Sequence, residues 1–485
     1  MASTHVLALD LGTSRIKVAV VDETLRVVSS ASRSHPTLTS EPGMAEQSPA
    51  LWLEGIRSAT AATLDALKEP VEIAAVVLTA QMPTLVALSS TGEAVGNAVT
   101  WQDARADDLV LSRLTPLERR RVYDVAGTPI DGRYIIPMHL RRRDEARYAP
   151  ETILSAKDYL YFVLTGEVVT DPSTASGFGN FDLEDLDWSR ELTDLWGASV
   201  KLPTVVDPRH RAPLAGSGAE VLRGVAAGTP VLVGAADSVC AHHFVTPHFE
   251  KPISVIDGSS RVILASLARA HAPRDREILL TPLLDTLDSG AELDLLATGS
   301  SIAWLAGLLD VTPEEIERLA LAHGDPARAT TLFYPYLAGG EQGALWRSDI
   351  SGSVAHLSLD TTRADLALAL FEAIAFETAR CVELLESLGD YQTVVALSGS
   401  SSSLLGAALL GALLEVPVVP LTAYSPSLLG AALEGLSAIG TSTASSPVLA
   451  DTPPVLDAAY RRALKEKYAT YLAGAPAPSA PGGVS

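Results

Sequence analysis

At 485 residues the chain is long enough for two domains, and a hydrophobic content of 47% lets each bury a core. A formal net charge of −22 makes nucleic acid and anionic membrane surfaces poor partners. The two cysteines, Cys240 and Cys381, provide neither a disulfide framework nor a metal-binding spacing, and as buried small residues they fit a reducing cytoplasm.

The chain opens on VLALDLGTSRIKVAV, Val6 to Val20. An apolar strand reaches Asp10, a turn follows at Gly12-Thr13-Ser14, and a second strand returns over Ile16 to Val20, which predicts a β-hairpin. No basic region precedes the strand and Asp10 interrupts its apolar run, so this is not a signal peptide. Helical periodicity covers Trp52 to Leu67, and strands are expected at Ile73 to Leu78 and Leu85 to Leu88. Gln81-Met82-Pro83 lies between those two strands. Val99-Thr100-Trp101 leads into Gln102-Asp103-Ala104-Arg105. Gly127 to Gly132 punctuates the chain ahead of a basic helix, Met138 to Arg147, whose Arg141-Arg142-Arg143 reads as a solvated face. A helix over Lys157 to Leu164 stops at Gly166, and Asp171 to Gly179 reads as a loop. Val231 to Val233 is a buried strand ending in Gly234-Ala235-Ala236-Asp237. His242-His243 with His248 matches no metal-site spacing and reads as an exposed helix. Thr246 to Pro252 is the expected domain boundary.

The second half opens with the same pattern. Ile253 to Leu264 reads ISVIDGSSRVIL, with a turn at Asp257-Gly258-Ser259-Ser260. Two such hairpins suggest two similarly built halves, and turns that faced each other would clamp one polyphosphate. A helix begins near Ser300 and carries Trp304, and Tyr334 to Trp346 is a Gly-rich loop. Asp360 to Leu385 reads as a long amphipathic helix with Asp360 and Thr361 as caps. Val394 to Leu397 is a strand, Ser398 to Ser403 a loop and Leu404 to Leu414 a helix too short to span a bilayer. A short strand, Pro417 to Pro420, and a small-residue helix, Leu428 to Ile439, follow. The Ala/Pro/Gly/Ser-rich tail, 474–485, is expected to be disordered. Strands alternating with helices in both halves define α/β architecture.

The first turn collects the parts of a phosphate site. Gly12 lets backbone N–H groups approach an anion, Thr13 and Ser14 add hydroxyls, Lys17 adds positive charge, and Asp10 suits a hydrated divalent cation. A plain polar hairpin is the competing reading. Asp237 follows a buried strand and precedes a helix, where a carboxylate either caps the helix or takes a proton from an attacking hydroxyl. Gly399 and Ser400 sit in a strand-to-helix loop, which suits a flat ligand or a phosphate, or simply caps the helix.

In their order along the chain these pieces resemble the FGGY carbohydrate kinases, over about His5 to Tyr471. Asp10-Leu11-Gly12-Thr13-Ser14 with Lys17 looks like the family's first phosphate motif, and Gln81-Met82 resembles the Gln-Met-His of xylulokinases. Trp101-Gln102-Asp103-Ala104-Arg105 looks like its Trp-x-Asp-x-Arg segment. Lys157-Asp158-Tyr159-Leu160, Leu164-Thr165-Gly166-Glu167, Thr170-Asp171 and Ala175-Ser176-Gly177 look like its central region. Gly234-Ala235-Ala236-Asp237 matches the segment with the catalytic aspartate, and Asp257-Gly258-Ser259-Ser260 stands at the second phosphate motif. Tyr334-Pro335-Tyr336-Leu337, Gly340-Glu341, Leu345-Trp346, Arg363-Ala364-Asp365-Leu366 and Gly430-Ala431-Ala432 match the C-terminal half. Ser398-Gly399-Ser400 resembles the adenosine motif. Pro83 stands where xylulokinases carry a substrate-binding histidine, and Ser238 replaces the polar residue usual after the catalytic aspartate.

The resemblance implies two actin-like, ribonuclease-H-type domains with a cleft between them, divided as 1–248 and 249–473. It implies transfer of the γ-phosphoryl group of MgATP to a hydroxyl of a small sugar, foremost a ketopentose such as xylulose. Gluconate, glycerol or another polyol is the rival substrate, and a non-catalytic nucleotide- and sugar-binding sensor the rival role. By the same resemblance Asp237 is the base, ionised near neutral pH, and Asp10 places Mg²⁺ through water. Gly12, Thr13, Ser14, Lys17, Gly258, Ser259 and Ser260 hold phosphates, and Gly399 and Ser400 line the adenosine site. Met82, Pro83, Asp103 and Asp237 contact the sugar. A cytoplasmic enzyme, with homodimerisation left open, completes the expectation.

Overall fold

The computed structural model describes residues 3–145, 148–268, 278–284, 288–398, 404–422, 424–441, 443 and 451–478. The chain divides into two compact units. The first comprises Met1–Phe244, Leu280–Ser289 and Pro426–Ser446, and the second comprises Val245–Leu279, Gly290–Ser425 and Pro447–Ser485.

In the first unit β1 (His5–Leu11) and β2 (Arg15–Asp22) form the expected antiparallel hairpin, and β3 (Val27–Ser34) pairs with β2. β4 (Glu46–Gln47) leads into α1 (Pro49–Asp65), which buries Trp52. β5 (Ile73–Ala80) returns parallel to β1. β6 (Thr84–Leu88), β7 (Ala98–Thr100) and β8 (Thr152–Leu154) join β4 in a four-stranded sheet of order β4-β7-β6-β8. Between β7 and β8 lie α2 (Asp107–Arg113), α3 (Pro116–Ala126) and α4 (Ile135–Arg142). After β8 come α5 (Ala156–Thr165) and the short α6 (Pro172–Ala175), then β9 (Arg211–Pro213) and β10 (Pro230–Ala236). The main sheet has the order β9-β10-β5-β1-β2-β3, with β10 parallel to β5. β1 is buried along its whole length, as a central strand covered on both faces must be, so the Asp10 carboxylate is an expensive inclusion.

The second unit repeats this plan. β11 (Pro252–Asp257) and β12 (Arg261–Ala268) form its hairpin. β13 (Asp288–Leu295), β12, β11, β14 (Thr393–Ser398) and β15 (Val418–Thr422) are consecutive in a six-stranded sheet. β14 runs parallel to both β11 and β15. The order β3-β2-β1-β5-β10 of the first unit therefore recurs as β13-β12-β11-β14-β15, and the two hairpins open the same motif twice. α8 (Gly299–Leu309), α9 (Pro313–Leu321), α10 (Arg363–Glu386), α11 (Leu404–Leu413) and α13 (Ala458–Gly474) belong to this unit. α12 (Pro426–Ala438) instead packs in the first unit, against β1 and β5.

Several local readings are corrected. The segment expected as a loop after Asp171 is helical: Asp171 accepts from the Ser173 and Thr174 amides and Pro172 occupies the first helical position, so α6 and a 3₁₀ turn, Ser176–Phe178, form there. The cap of α10 is Thr362, paired reciprocally with Asp365, rather than Asp360 or Thr361. α10 is also buried almost all round from Ala367 to Ala379, as a helix inside a core is, rather than two-faced. α4 ends at Arg142, and Arg142 is buried, 4.6 Å over the Tyr148 ring and donating to the Asn97 carbonyl. His242 is buried rather than exposed, and burial pushes its imidazole down to about 3. Cys240 and Cys381 are buried and unpaired, as expected. α2, α3, α9 and α13 are helices that periodicity did not reveal; α13 runs through Gly474. Among the described residues no helix is long and apolar enough to cross a membrane.

Candidate active site

The first hairpin turn is held from behind. His35 Nε2 donates to the Gly12 carbonyl at 3.0 Å, Gln47 Nε2 donates to the Thr13 carbonyl at 2.8 Å, and the His35 amide donates to the Ser14 carbonyl at 3.3 Å. The Gly12 amide closes the turn onto the Arg15 carbonyl at 3.0 Å. Trp101 Nε1 donates to Thr13 Oγ1 at 3.1 Å, which leaves the hydroxyl hydrogen for another acceptor. Among the described residues nothing accepts from the Thr13 or Ser14 amide. A turn with its carbonyls tied inward and two N–H groups left over is an anion cradle.

Asp10 lies at the end of β1, opposite Lys17 in register, with Lys17 Nζ 3.4 Å from Oδ2. Ser427 Oγ, on α12, donates to the same oxygen at 2.9 Å. Asp237 stands directly after β10 and opens α7 (Asp237–Val245), with the Ser238 amide donating to its Oδ1 at 2.9 Å. Gly234 has φ +69°, and a Cβ there would stand 1.8 Å from the Leu78 carbonyl oxygen. Only glycine fits this bulge, where the β5–β10 register slips between Leu232 and Ala235 and the strand end is redirected. Burial pushes the Asp237 carboxyl up to about 7, and the negative charge of Asp10 adds to it, while the Ser238 amide and Lys17 pull the other way. The carboxyl is thus held well above the ordinary carboxylate range that the sequence reading assumed. Two neighbouring carboxylates that repel each other fit a hydrated divalent cation.

Met82 and Pro83 are half-buried against Gly177, where a Cβ would meet Met82 Cε at 2.8 Å. Asp103 is buried with both oxygens engaged: Oδ2 accepts from the Ala45 amide at 2.9 Å and from Arg105 Nη2 at 2.7 Å, and Oδ1 accepts from the Arg105 amide at 3.0 Å. Arg105 also reaches Glu46 at 2.6 Å. Asp103 therefore braces the Trp101–Arg105 segment.

Sequence reasoning missed the support beneath this surface. Lys157 is fully enclosed between Asp158 at 3.2 Å and Asp171 at 3.0 Å. Asp171 accepts from Ser173 Oγ, which itself accepts from the Ala236 amide at 3.0 Å, next to Asp237. The available signal was the capped start of α6.

In the second unit the turn is one residue tighter. Asp257 pairs with Arg261, whereas Leu11 pairs with Ile16, so three residues intervene rather than four. The Gly258 amide donates to the Ser260 carbonyl at 2.9 Å, and the Ser259 carbonyl accepts from the Thr298 and Ser300 amides at 3.2 and 3.0 Å. The turn thus rests on the N-terminus of α8, with Gly258 and Ser259 exposed. Asp257 is committed to Arg261 Nε at 2.6 Å. Gly399 and Ser400 lie outside the described residues.

A repeated five-strand order, each copy opening on a glycine-hydroxyl hairpin, defines the actin-like, ribonuclease-H-type class of two-domain proteins. Within that class the chain belongs to the FGGY family of carbohydrate kinases: the family's N-terminal domain matches residues 5–243 and its C-terminal domain residues 254–439. It is a sugar kinase, a phosphotransferase. Over 417 residues it is 25% identical to a xylulose kinase of Staphylococcus epidermidis, covering 83% of this chain and 82% of that one. Over 394 residues it is 25% identical to the gluconokinase of Bacillus subtilis, covering 77% and 75%. The crystal structure of a ligand-bound xylulose kinase from Lactobacillus acidophilus superposes with a TM-score of 0.84 over 97% of both chains at 22% identity, a likeness of fold.

Proposed function

We propose that the protein transfers the γ-phosphoryl group of ATP to a hydroxyl of a ketopentose such as xylulose. The observation that carries this reading is Asp237, at a redirected strand end, half-buried, with a carboxyl pushed up to about 7 beside Asp10. A base with its pKa near the working pH combines adequate ionisation with adequate proton affinity. Asp237 takes the hydroxyl proton, the hydroxyl oxygen forms a bond to the γ-phosphorus, and the bond from that phosphorus to the β,γ-bridging oxygen breaks to release ADP. The Thr13 and Ser14 amides and the Lys17 charge hold phosphate oxygens, and the turn Gly258-Ser259-Ser260 offers similar donors in the second unit. Asp10 would hold a hydrated Mg²⁺ through its water shell, and the ion would supply positive charge against the phosphates. Gly399 and Ser400 are assigned to the adenosine end by the family pattern.

Met82 and Pro83 form the sugar wall, with Asp103 as brace. The resemblance of Gln81-Met82 to the Gln-Met-His of xylulokinases favours a ketopentose, while the gluconokinase relative keeps gluconate as the second reading. The unpaired buried cysteines fit a reducing cytoplasm. A panel of xylulose, gluconate and glycerol with MgATP, read by ADP release, tests the proposal. Xylulose should give the highest kcat/KM; a clear preference for gluconate or glycerol would replace the ketopentose reading.

A further inference from the structure

Gln47 is fully buried and sits 34 positions along the chain from the turn it touches. Its Nε2 donates to the Thr13 carbonyl and to Thr37 Oγ1, each at 2.8 Å. Its Oε1 accepts from Trp52 Nε1 at 3.1 Å and from Gln81 Nε2 at 2.9 Å. An indole N–H can only donate, so Trp52 dictates which end of the amide faces it. The oxygen points to Trp52 and the NH₂ must point to Thr13.

The consequence follows from peptide geometry. The Thr13 C=O and the Ser14 N–H belong to one planar trans peptide and point in opposite directions. Tying the carbonyl inward aims the Ser14 N–H outward. His35 does the same for the preceding plane, through the Gly12 carbonyl and the Thr13 N–H. Gln81, on the other end of the Gln47 amide, directly precedes Met82 and Pro83.

We infer that Gln47 is a positioning residue for phosphoryl transfer: it fixes the Thr13–Ser14 peptide plane of the phosphate turn and ties that plane to the Gln81–Pro83 segment. The inference rests on the proposed use of this turn for ATP phosphates. Trp52 is the residue that fixes the amide's orientation.

Two variants test it. Gln47→Met keeps length and volume but loses every hydrogen bond. Gln47→Glu keeps the acceptor for Trp52 and Gln81 but, in its ionised form at the alkaline end of the assay range, cannot donate to the Thr13 carbonyl. If Gln47 only held Trp52 and Gln81 in the core, the glutamate variant would behave as wild type. As a positioning residue it should raise the KM for ATP roughly ten-fold in both variants, the worth of one oriented hydrogen bond to a charged ligand. Calorimetric binding of a non-hydrolysable ATP analogue should weaken by the same factor, measured well below the melting temperature of each variant. Wild-type KM for ATP in folded Gln47→Glu overturns the inference, and this variant serves alone if Gln47→Met does not fold. A wild-type protein that neither binds the analogue nor releases ADP would overturn the functional reading itself, a failure visible before any substitution is made.

Discussion

Ser427 donates its hydroxyl hydrogen to the Asp10 carboxylate at 2.9 Å across 417 positions of sequence. Asp10 is the next-to-last residue of the chain's first strand, and Ser427 lies in the first turn of a helix that follows the second unit's last strand in the chain yet packs in the first unit. A buried carboxylate in a central strand needs such partners, and Lys17 is another.

Removing the hydroxyl in Ser427→Ala should therefore cost stability. Hydrogen bonds to charged groups contribute about 1.5–3 kcal/mol, and because Lys17 remains, a loss of about 1–2 kcal/mol is expected. Urea unfolding with an unchanged m-value would read it. An unmoved midpoint would show that the bond adds nothing net.

Asp10 also predicts a strict cation requirement. Chelation of Mg²⁺ should abolish transfer, and undiminished activity in excess chelator would remove Asp10 from any metal role. Asp10→Asn should raise the Mg²⁺ concentration for half-maximal rate by about ten-fold or more, the scale found for groups that hold a metal through its water shell.

The hairpins, the alternation of strands and helices and the position of Asp237 were legible because each is local: an apolar run, a turn signal and an acid at a strand end. α3 was missed although Thr115 and Glu118 form a capping box, because its exposed face is too charged to show apolar periodicity. The same holds for α13, whose cap is Asp457. Gln47 could not be read at all. It lies in a two-residue strand, and its role exists only through contacts with Thr13, Trp52 and Gln81. The burial of His242 and the raised carboxyl of Asp237 depend in the same way on neighbours distant in sequence.

Pro83 should set sugar preference. A proline side chain donates no hydrogen bond, and its ring packs near Gly177 beside Met82. Pro83→His should change the ratio of kcat/KM for xylulose to that for gluconate by about five-fold or more, the effect of roughly one hydrogen bond, with the KM for ATP little changed. An unaltered substrate profile would take Pro83 out of the sugar site.

Asp237 carries the most specific expectation. Only its ionised form accepts a proton, and burial together with the Asp10 charge places its titration at about 7 in the free protein. The kcat/KM for sugar should therefore rise with pH and level off above an apparent pKa of about 7. Asp10→Asn removes the repelling charge and should move that limb to lower pH. The stability effect has the opposite sense. A carboxyl held above its unfolded value binds its proton more tightly in the native state, so between the ordinary carboxylate range and about 7 stability falls as pH rises. Asp237→Asn cannot ionise and escapes that loss, so it should melt above wild type at pH 8 and converge with it only below about pH 4, where the wild-type side chain is neutral in both the folded and the unfolded state. Its kcat should fall by roughly two orders of magnitude or more, the usual reach of general-base catalysis. If Asp237 merely capped α7, asparagine would serve almost as well and the rate would persist. A folded Asp237→Asn protein with wild-type kcat and an unchanged pH profile would end the mechanism.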